Sequence, residues 1–245
     1  MNDLQILKEL EKEMNIKLDK KDSNFLPSEK IINIEELRDH FGQFENILNS
    51  YVLDDKNNIV GLIISTKTDK PLQHIFNLIN LNVLILGVKS EQVPKEIAQL
   101  RDLSFLYIDG IYRIPKEIGK LKKLKCLFIR KYELLDLSPK KDLDFYSDHL
   151  VDLLYDLDEL YLIDNPLSDL PKEINQLANL KSLDLRNNKL SDLPKKINQL
   201  ANLKFLNLRN NKLSDLPKEI NQLANLQSLD LSYNNYHTYP RKLIN

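Results

Sequence analysis

Apolar residues recur in one order along most of the chain: two leucines three positions apart, a third two positions later, then an Asn and another leucine. The order is complete in residues 157–167, 180–190 and 203–213, and residues 226–236 repeat it with a Tyr in the last place. In Leu183-Asp184-Leu185 the apolar side chains alternate with period two, which predicts a short strand with its leucines facing inward. Each unit holds one such strand, so neighbouring units must stack to form a parallel sheet.

The unit length is fixed by prolines at a spacing of 23 residues, Pro171, Pro194 and Pro217. A proline at the start of a helical turn loses no needed N–H, so we expect a short α- or 3₁₀-helical turn on the outer side of each unit. The leucine frame continues backwards with shorter loops through residues 124–129, 103–108 and 81–86 to a first strand at 59–64. We therefore predict eight strands, four of them followed by the inward-facing Asn.

The pattern L-x-x-L-x-L-x-x-N-x-L, with Pro-Lys-Glu-Ile at 171–174 and 217–220, resembles the leucine-rich repeat family, in its 23-residue bacterial and cytoplasmic form. The resemblance covers about residues 59–240. It implies an α/β fold: a right-handed solenoid with a parallel sheet on the concave face and short helical turns outside. It also implies a binding module for proteins or peptides that uses the concave face.

Two parts of the chain depart from the repeat. Residues 1–50 are predicted to form a helical N-terminal cap, with one amphipathic helix through Leu4, Leu7 and Leu10 and a second beginning at Asn33. Residues 51–245 are then the solenoid, which the chain enters through a hairpin turning near 55–58. Ten additional residues in one unit predict an inserted helix near 140–156 on the convex side.

Composition narrows the classes of partner. The 245 residues carry 35 Lys+Arg and 36 Asp+Glu, a net charge of −1 that argues against a nucleic-acid binder. No stretch is long and apolar enough to predict a membrane span, and the N-terminus does not read as a secretory signal. Cys126 is the one cysteine, which fits a reducing compartment. We expect a cytoplasmic protein.

Motifs of catalysis are missing from the sequence. The histidines (His40, His74, His149 and His237) form no H-E-x-x-H pair, and Gly119-Lys120 lacks the rest of a phosphate-binding loop. Cys126 falls on a strand with no His in its unit, which favours a small structural residue. The sequence therefore predicts no enzyme activity, no cofactor and no metal site.

The outward-facing strand positions are the candidate binding residues. Solvated sheet faces are normally polar, yet the outward positions of the N-terminal units are apolar and aromatic, beside polar C-terminal units. The predicted partner-binding residues are Ile85, Phe105, Tyr107, Phe128, Tyr161, Ile163, Asp184, Arg186, Asn207 and Arg209. Two interpretations compete: the aromatics are structural, laddering across strands or lying beneath the N-terminal helices, or they form an exposed partner site, which we favour.

Other contexts for the same module stay open. The N-terminal leader is similar to that of repeat regions in bacterial Roco-type GTPases, so the chain could be the regulatory part of such a protein. A secreted bacterial effector or adhesin is a third class. The aromatic surface or the C-terminal end of the solenoid could also join two copies in a homodimer.

Overall fold

A computed structural model describes residues 2–21, 49–65, 73–113, 115–130, 156–170 and 172–236. In these residues one ten-stranded sheet follows the chain order, with helix α1 (Asp3–Met14) before it. Every neighbouring pair of strands is parallel except β2–β3. The strands are β1 (Asp19–Lys21), β2 (Ser50–Leu53), β3 (Ile59–Ser65), β4 (Val83–Gln92), β5 (Phe105–Arg113), β6 (Cys126–Arg130), β7 (Glu159–Ile163), β8 (Ser182–Asp184), β9 (Phe205–Asn207) and β10 (Ser228–Asp230).

The pairing register confirms the leucine frame. The second leucine of each unit pairs with its counterpart in the next, from Leu62 on β3 to Leu229 on β10. Strands β3–β10 are the eight predicted strands, and the α/β solenoid architecture is confirmed. The inward leucines form one continuous core along the stack.

Within the described residues, six connections between the repeat strands contain a short 3₁₀ turn. The turns span Gln73–Asn77, Lys95–Gln99, Lys116–Lys120, Lys172–Gln176, Lys195–Gln199 and Lys218–Gln222. Pro194 and Pro217 occupy the N-cap position, with extended backbone, so each proline lies one residue before the turn instead of inside it. Its carbonyl accepts the first hydrogen bond of the turn, as from the Ile197 N–H at 2.9 Å.

The N-terminal segment joins both the core and the sheet. Helix α1 begins with a capping box between Asn2 and Gln5, and its buried face enters the leucine core. The predicted hairpin is present as β2–β3, and Asp54 holds its turn by accepting the Lys56 and Asn58 N–H groups. These hydrogen bonds, with that of the Asn58 side chain first among them, lower the pKa of Asp54. Strand β1 was not predicted. The helix expected from Asn33 and the helix expected near 140–156 lie outside the described residues.

Strand length divides the sheet into two sections. The outward residue between the second and third leucine positions of a unit is called its central position. In β8, β9 and β10 this residue is Asp184, Asn207 and Asp230, and its Oδ1 accepts the N–H two residues later at 2.9–3.0 Å. This side-chain turn competes with strand pairing, so each strand ends after three residues. β6 and β7, with Phe128 and Tyr161 at that position, have five residues each.

The units of β4 and β5, whose loops are shorter than those of the regular repeat, have the longest strands of the sheet. β4 spans ten residues and β5 nine, and they pair again from Ser90 to Gln92 after a register shift. Gly110 lies at this irregularity with a φ of 80°, a conformation that favours glycine.

The predicted column of Asn side chains is present behind the strands. Asn188 donates from Nδ2 to the carbonyls of Leu162 and Leu185 at 2.7 and 2.8 Å, and its Oδ1 accepts the Leu167 N–H at 3.2 Å. Asn211 and Asn234 repeat this arrangement one and two units later. Each Asn therefore joins its own unit to the preceding one by satisfying buried backbone groups.

Candidate partner-binding surface

The sheet register places the ten candidate residues on one face. Ile85, Tyr107, Phe128, Tyr161, Asp184 and Asn207 follow one another across six strands as direct register partners. Phe105 lies two residues before Tyr107, while Ile163, Arg186 and Arg209 lie two residues after the central position of their own units. The face combines an apolar section on β3–β7 with a polar section on β8–β10.

The apolar section is buried. Its six candidates, Ile85, Phe105, Tyr107, Phe128, Tyr161 and Ile163, are at most 9% exposed, and they form a second buried cluster with Ile63, Val83 and Cys126. The ring centroid of Phe128 lies 4.5 Å from that of Tyr107 and 5.6 Å from that of Tyr161, so the aromatic rings pack against one another across neighbouring strands. Tyr161, at 1% exposure, is among the largest fully buried side chains of the described residues.

The expectation that these six side chains form an exposed patch is therefore wrong. They are packed as core residues on the side of the sheet opposite the leucines. Their assignment as partner contacts stays a prediction.

Carboxylates lie within and beside this buried cluster. The Tyr107 hydroxyl donates to Asp109 Oδ2 at 3.5 Å, and burial raises the pKa of Asp109 to about 6, against the opposing charge of Arg130. Arg130 Nε lies 2.9 Å from Asp164 Oδ2. Burial also raises the pKa of Glu159, which accepts the Tyr161 hydroxyl at 2.9 Å. The sequence analysis did not select Asp109 and Glu159 as site residues. The available signal was an acidic residue two positions from an outward-facing tyrosine.

The polar section is organised around Asp184. Its Oδ2 is 2.8 Å from one terminal nitrogen of Arg186 and accepts from Arg186 Nε at 3.0 Å and Asn207 Nδ2 at 3.3 Å. Burial raises the pKa of the Asp184 carboxyl, and the Arg186 charge opposes that shift. Asp184 is only 4% exposed, so this ion pair fixes the surface and offers little free charge.

Three large side chains at the C-terminal end of the face are exposed. Phe205 is 37% and Tyr233 67% exposed, and the Arg209 guanidinium carbon lies 4.3 Å from the centre of the Tyr233 ring. Arg209 also donates to Ser232 Oγ at 3.3 Å. Arg209 was a predicted site residue, whereas Phe205 and Tyr233 were not. The signal for Phe205 was an aromatic at an outward position among polar units.

A row of hydrogen-bonded side chains borders the face. Asn210 Nδ2 donates to Asn187 Oδ1 at 3.0 Å, and Asn187 Nδ2 donates to Asp164 Oδ1 at 2.6 Å. All three have left-handed backbone, with φ between 54° and 58°, which Asn and Asp tolerate better than most residues. This row ties three successive units together at the edge of the candidate surface.

Residues considered for other chemistry lie in structural settings. Burial raises the pKa of the Cys126 thiol, and a buried neutral thiol is a poor nucleophile. His74 Nε2 lies 3.6 Å from Glu13, while His40, His149 and His237 lie outside the described residues. Across the described ranges, no three His, Cys, Asp or Glu side chains cluster as metal ligands would. The same ranges contain no helix that is both long and apolar enough to cross a membrane.

Comparison with known proteins extends the structural result. The family profile described as Leucine rich repeat matches residues 155–213 and 178–236. The solved structure of the leucine-rich repeat protein LIC12759 from Leptospira interrogans is 33% identical and superposes with a TM-score of 0.54, covering 91% of this chain and 57% of that one. No curated protein sequence matches this chain.

Two more distant structures show the fold alone. The internalin InlF of Listeria monocytogenes is 18% identical, with a TM-score of 0.51 over 76% of this chain and 59% of its own. The PEPR1–AtPEP1 crystal structure is 23% identical, with a TM-score of 0.60 over 95% of this chain and 31% of that one. The chain thus spans less than two thirds of each of these proteins. The profile match, the repeat register and the buried Asn column agree: this chain is a leucine-rich repeat protein.

Proposed function

We propose that this chain is a non-enzymatic module that binds a protein or peptide partner on the concave face of its sheet. The leucine-rich repeat fold is generally a protein–protein interaction scaffold. The observation that supports this site is the exposed group Phe205, Arg209 and Tyr233, named here the C-terminal patch, at the end of a face whose other large side chains are buried or internally paired.

The C-terminal patch has the composition of an interaction site. Aromatic and Arg side chains are enriched among residues that dominate binding energy, because they present large contact areas and directional donors. The patch rests on short strands whose turns are held by Asn207 and Asp230, so its backbone is ordered before a partner arrives. An ordered site loses less entropy on binding.

Site-specific photo-crosslinking tests this function. A benzophenone amino acid replaces Phe205 in one variant and the exposed Lys218, on the 3₁₀ turn of the next unit, in a matched control. In lysate of the source cells we expect a discrete adduct at position 205 that is weakened by Arg209→Glu and not by Lys212→Glu. No adduct at position 205, or equal adducts at both positions, would overturn the proposed site.

We also propose a cytoplasmic location, which the single cysteine supports because oxidising compartments favour disulfides. Cell fractionation tests it. Recovery in the culture medium would favour the effector or adhesin alternative, and co-purification with a GTPase would favour the Roco-type regulatory alternative. Both alternatives keep the concave face as the binding surface.

A further inference from the structure

Three arginines occupy the same position in their units and differ in their pairing. Arg130 lies 2.9 Å from Asp164, and Arg186 lies 2.8 Å from Asp184. Arg209 is exposed, and within the described ranges it has no carboxylate at ion-pair distance.

The sequence explains why Arg209 differs. The partner of Arg186 is the residue two positions before it, and that position is the neutral Asn207 in the Arg209 unit. The partner of Arg130 is the left-handed residue of the following unit, and that position is Tyr233 for Arg209. Both carboxylate positions are therefore filled by neutral side chains.

Arg209 is nevertheless held in place. Its guanidinium lies over the Tyr233 ring, it donates to Ser232 Oγ, and its backbone N–H donates to Asn207 Oδ1 at 3.0 Å. A guanidinium is weakly hydrated and presents paired donors that match a carboxylate. A pre-oriented guanidinium without its own counter-ion is complementary to a carboxylate on another molecule.

The surroundings of Arg209 favour the same partner charge. Residues 203–213 contain no Asp or Glu, so no carboxylate of this stretch opposes a negatively charged partner at Arg209. The nearest concave carboxylate of the following unit, Asp230, accepts from the Ser232 N–H and hydroxyl at 2.9 and 2.6 Å. The outward positions of this unit, Phe205, Asn207 and Arg209, therefore carry one charge, and it is positive.

Phe205 supplies an apolar contact at another outward position of the same unit. It lies four residues before Arg209, so the two Cα atoms are at most about 13 Å apart at the rise of an extended chain. An extended peptide spans that distance with about four residues.

We infer, resting on the proposed function, that the C-terminal patch binds an extended acidic peptide segment. The side-chain carboxylate of an Asp or Glu in this segment pairs with Arg209, and a large apolar side chain about four residues away packs on Phe205. The Tyr233 ring orients the guanidinium for this contact.

A displayed library of random linear peptides, each fused at its C-terminus and so without a free terminal carboxylate, tests the inference on the full chain. We expect the wild-type protein to enrich peptides with an Asp or Glu spaced from an aromatic or large aliphatic residue. For the best synthetic peptide, Arg209→Gln should weaken Kd by roughly tenfold or more, as loss of a charge-assisted hydrogen bond implies. Arg209→Lys should recover part of the affinity, and Lys212→Gln is the matched control.

A double-mutant cycle identifies the contact. Amide replacement of the peptide carboxylate should weaken binding as Arg209→Gln does, and the two changes together should cost little more than either alone. Unchanged thermal melting of Arg209→Gln shows that folding is intact. The inference is overturned by enrichment without acidic residues, by no enrichment, by equal affinity of Arg209→Gln, or by dependence on a terminal carboxylate. The crosslink at position 205 is a separate result, so a failure of the peptide inference is distinguishable from a failure of the proposed function.

Discussion

Adjacent asparagines in each regular unit have different structural roles. Asn187 has left-handed backbone and lies on the exposed edge, whereas Asn188 is buried and hydrogen-bonded to four backbone groups. A shift of one position in the repeat frame would exchange these roles. Stability measurements on the pair therefore test the frame directly.

Asn188→Ala should lower the free energy of unfolding by about 1–3 kcal/mol, because it leaves the Leu167 N–H and the Leu162 carbonyl without their buried partner. The matched control is Asn187→Gly, which removes the side chain and keeps a residue that accepts positive φ. Urea denaturation should show a clearly smaller loss for the control. Equal losses would contradict the assigned frame.

Asp109 makes stability depend on pH. Its pKa is raised in the folded protein to about 6, so the folded state binds more protons than the unfolded state between pH 4 and 6, and its contribution to stability falls as pH rises through that window. Arg130 and Asp164 face the same carboxyl, one lowering and the other raising its pKa.

Asp109→Asn should therefore stabilise the protein at pH 7, by on the order of 1–3 kcal/mol, and this advantage should shrink toward pH 4.5. Thermal melting of both proteins at a series of pH values measures the difference. A stabilisation that is the same at both pH values would show that the charge of Asp109 is not its cause.

Strand stacking makes each unit depend on its neighbours. Leu206 on β9 is 2% exposed between β8 and β10, whereas its equivalent Leu229 on β10 is only partly buried. The same substitution thus creates different cavities in two chemically equal positions. This difference belongs to the stack, since both residues occupy the same leucine position of their units.

Leu206→Ala should cost about 2–5 kcal/mol of unfolding free energy, and Leu229→Ala less. Chemical denaturation of the two variants makes the comparison. A larger loss at Leu229 would contradict the stacked arrangement of β8–β10.

The leucine frame could be read from the sequence, because inward leucines with period two fix the register of each strand. The ends of the strands were harder to predict. The three-residue strands follow from Asp184, Asn207 and Asp230, whose side chains compete locally for the backbone, and that signal was present. The extension of β4 and β5 depends on pairing between two units, so neither unit's own pattern predicts it.

The two buried clusters on opposite sides of the sheet change how its aromatic residues are interpreted. Outward positions were identified correctly on the strands, but burial depends on what lies above the sheet, which strand periodicity does not encode. Tyr107 and Phe128 therefore contribute to stability. Phe205 occupies the position equivalent to Phe105, three units beyond Phe128, and remains exposed.

Tyr107→Ser combined with Phe128→Ser should lower the unfolding free energy by several kcal/mol, about 3 or more, because both rings leave cavities in a packed cluster. Phe205→Ser is the matched control and should change melting little. A double variant that melts like the wild type would contradict the core assignment and restore the aromatic section as a partner site.

Successive units meet through the same side-chain contacts. Asn175 donates to Gln199 and Asn198 to Gln222 on the convex side, while Asn202 and Asn225 each donate to the Ala carbonyl of the preceding unit. The contact made by one unit on its predecessor is thus the contact it offers to its successor. Duplication or deletion of a unit within the gene can change the width of the sheet by about 4.8 Å at a time without requiring a new contact between units. The length of the sheet can therefore change in evolution separately from the contacts that fold each unit.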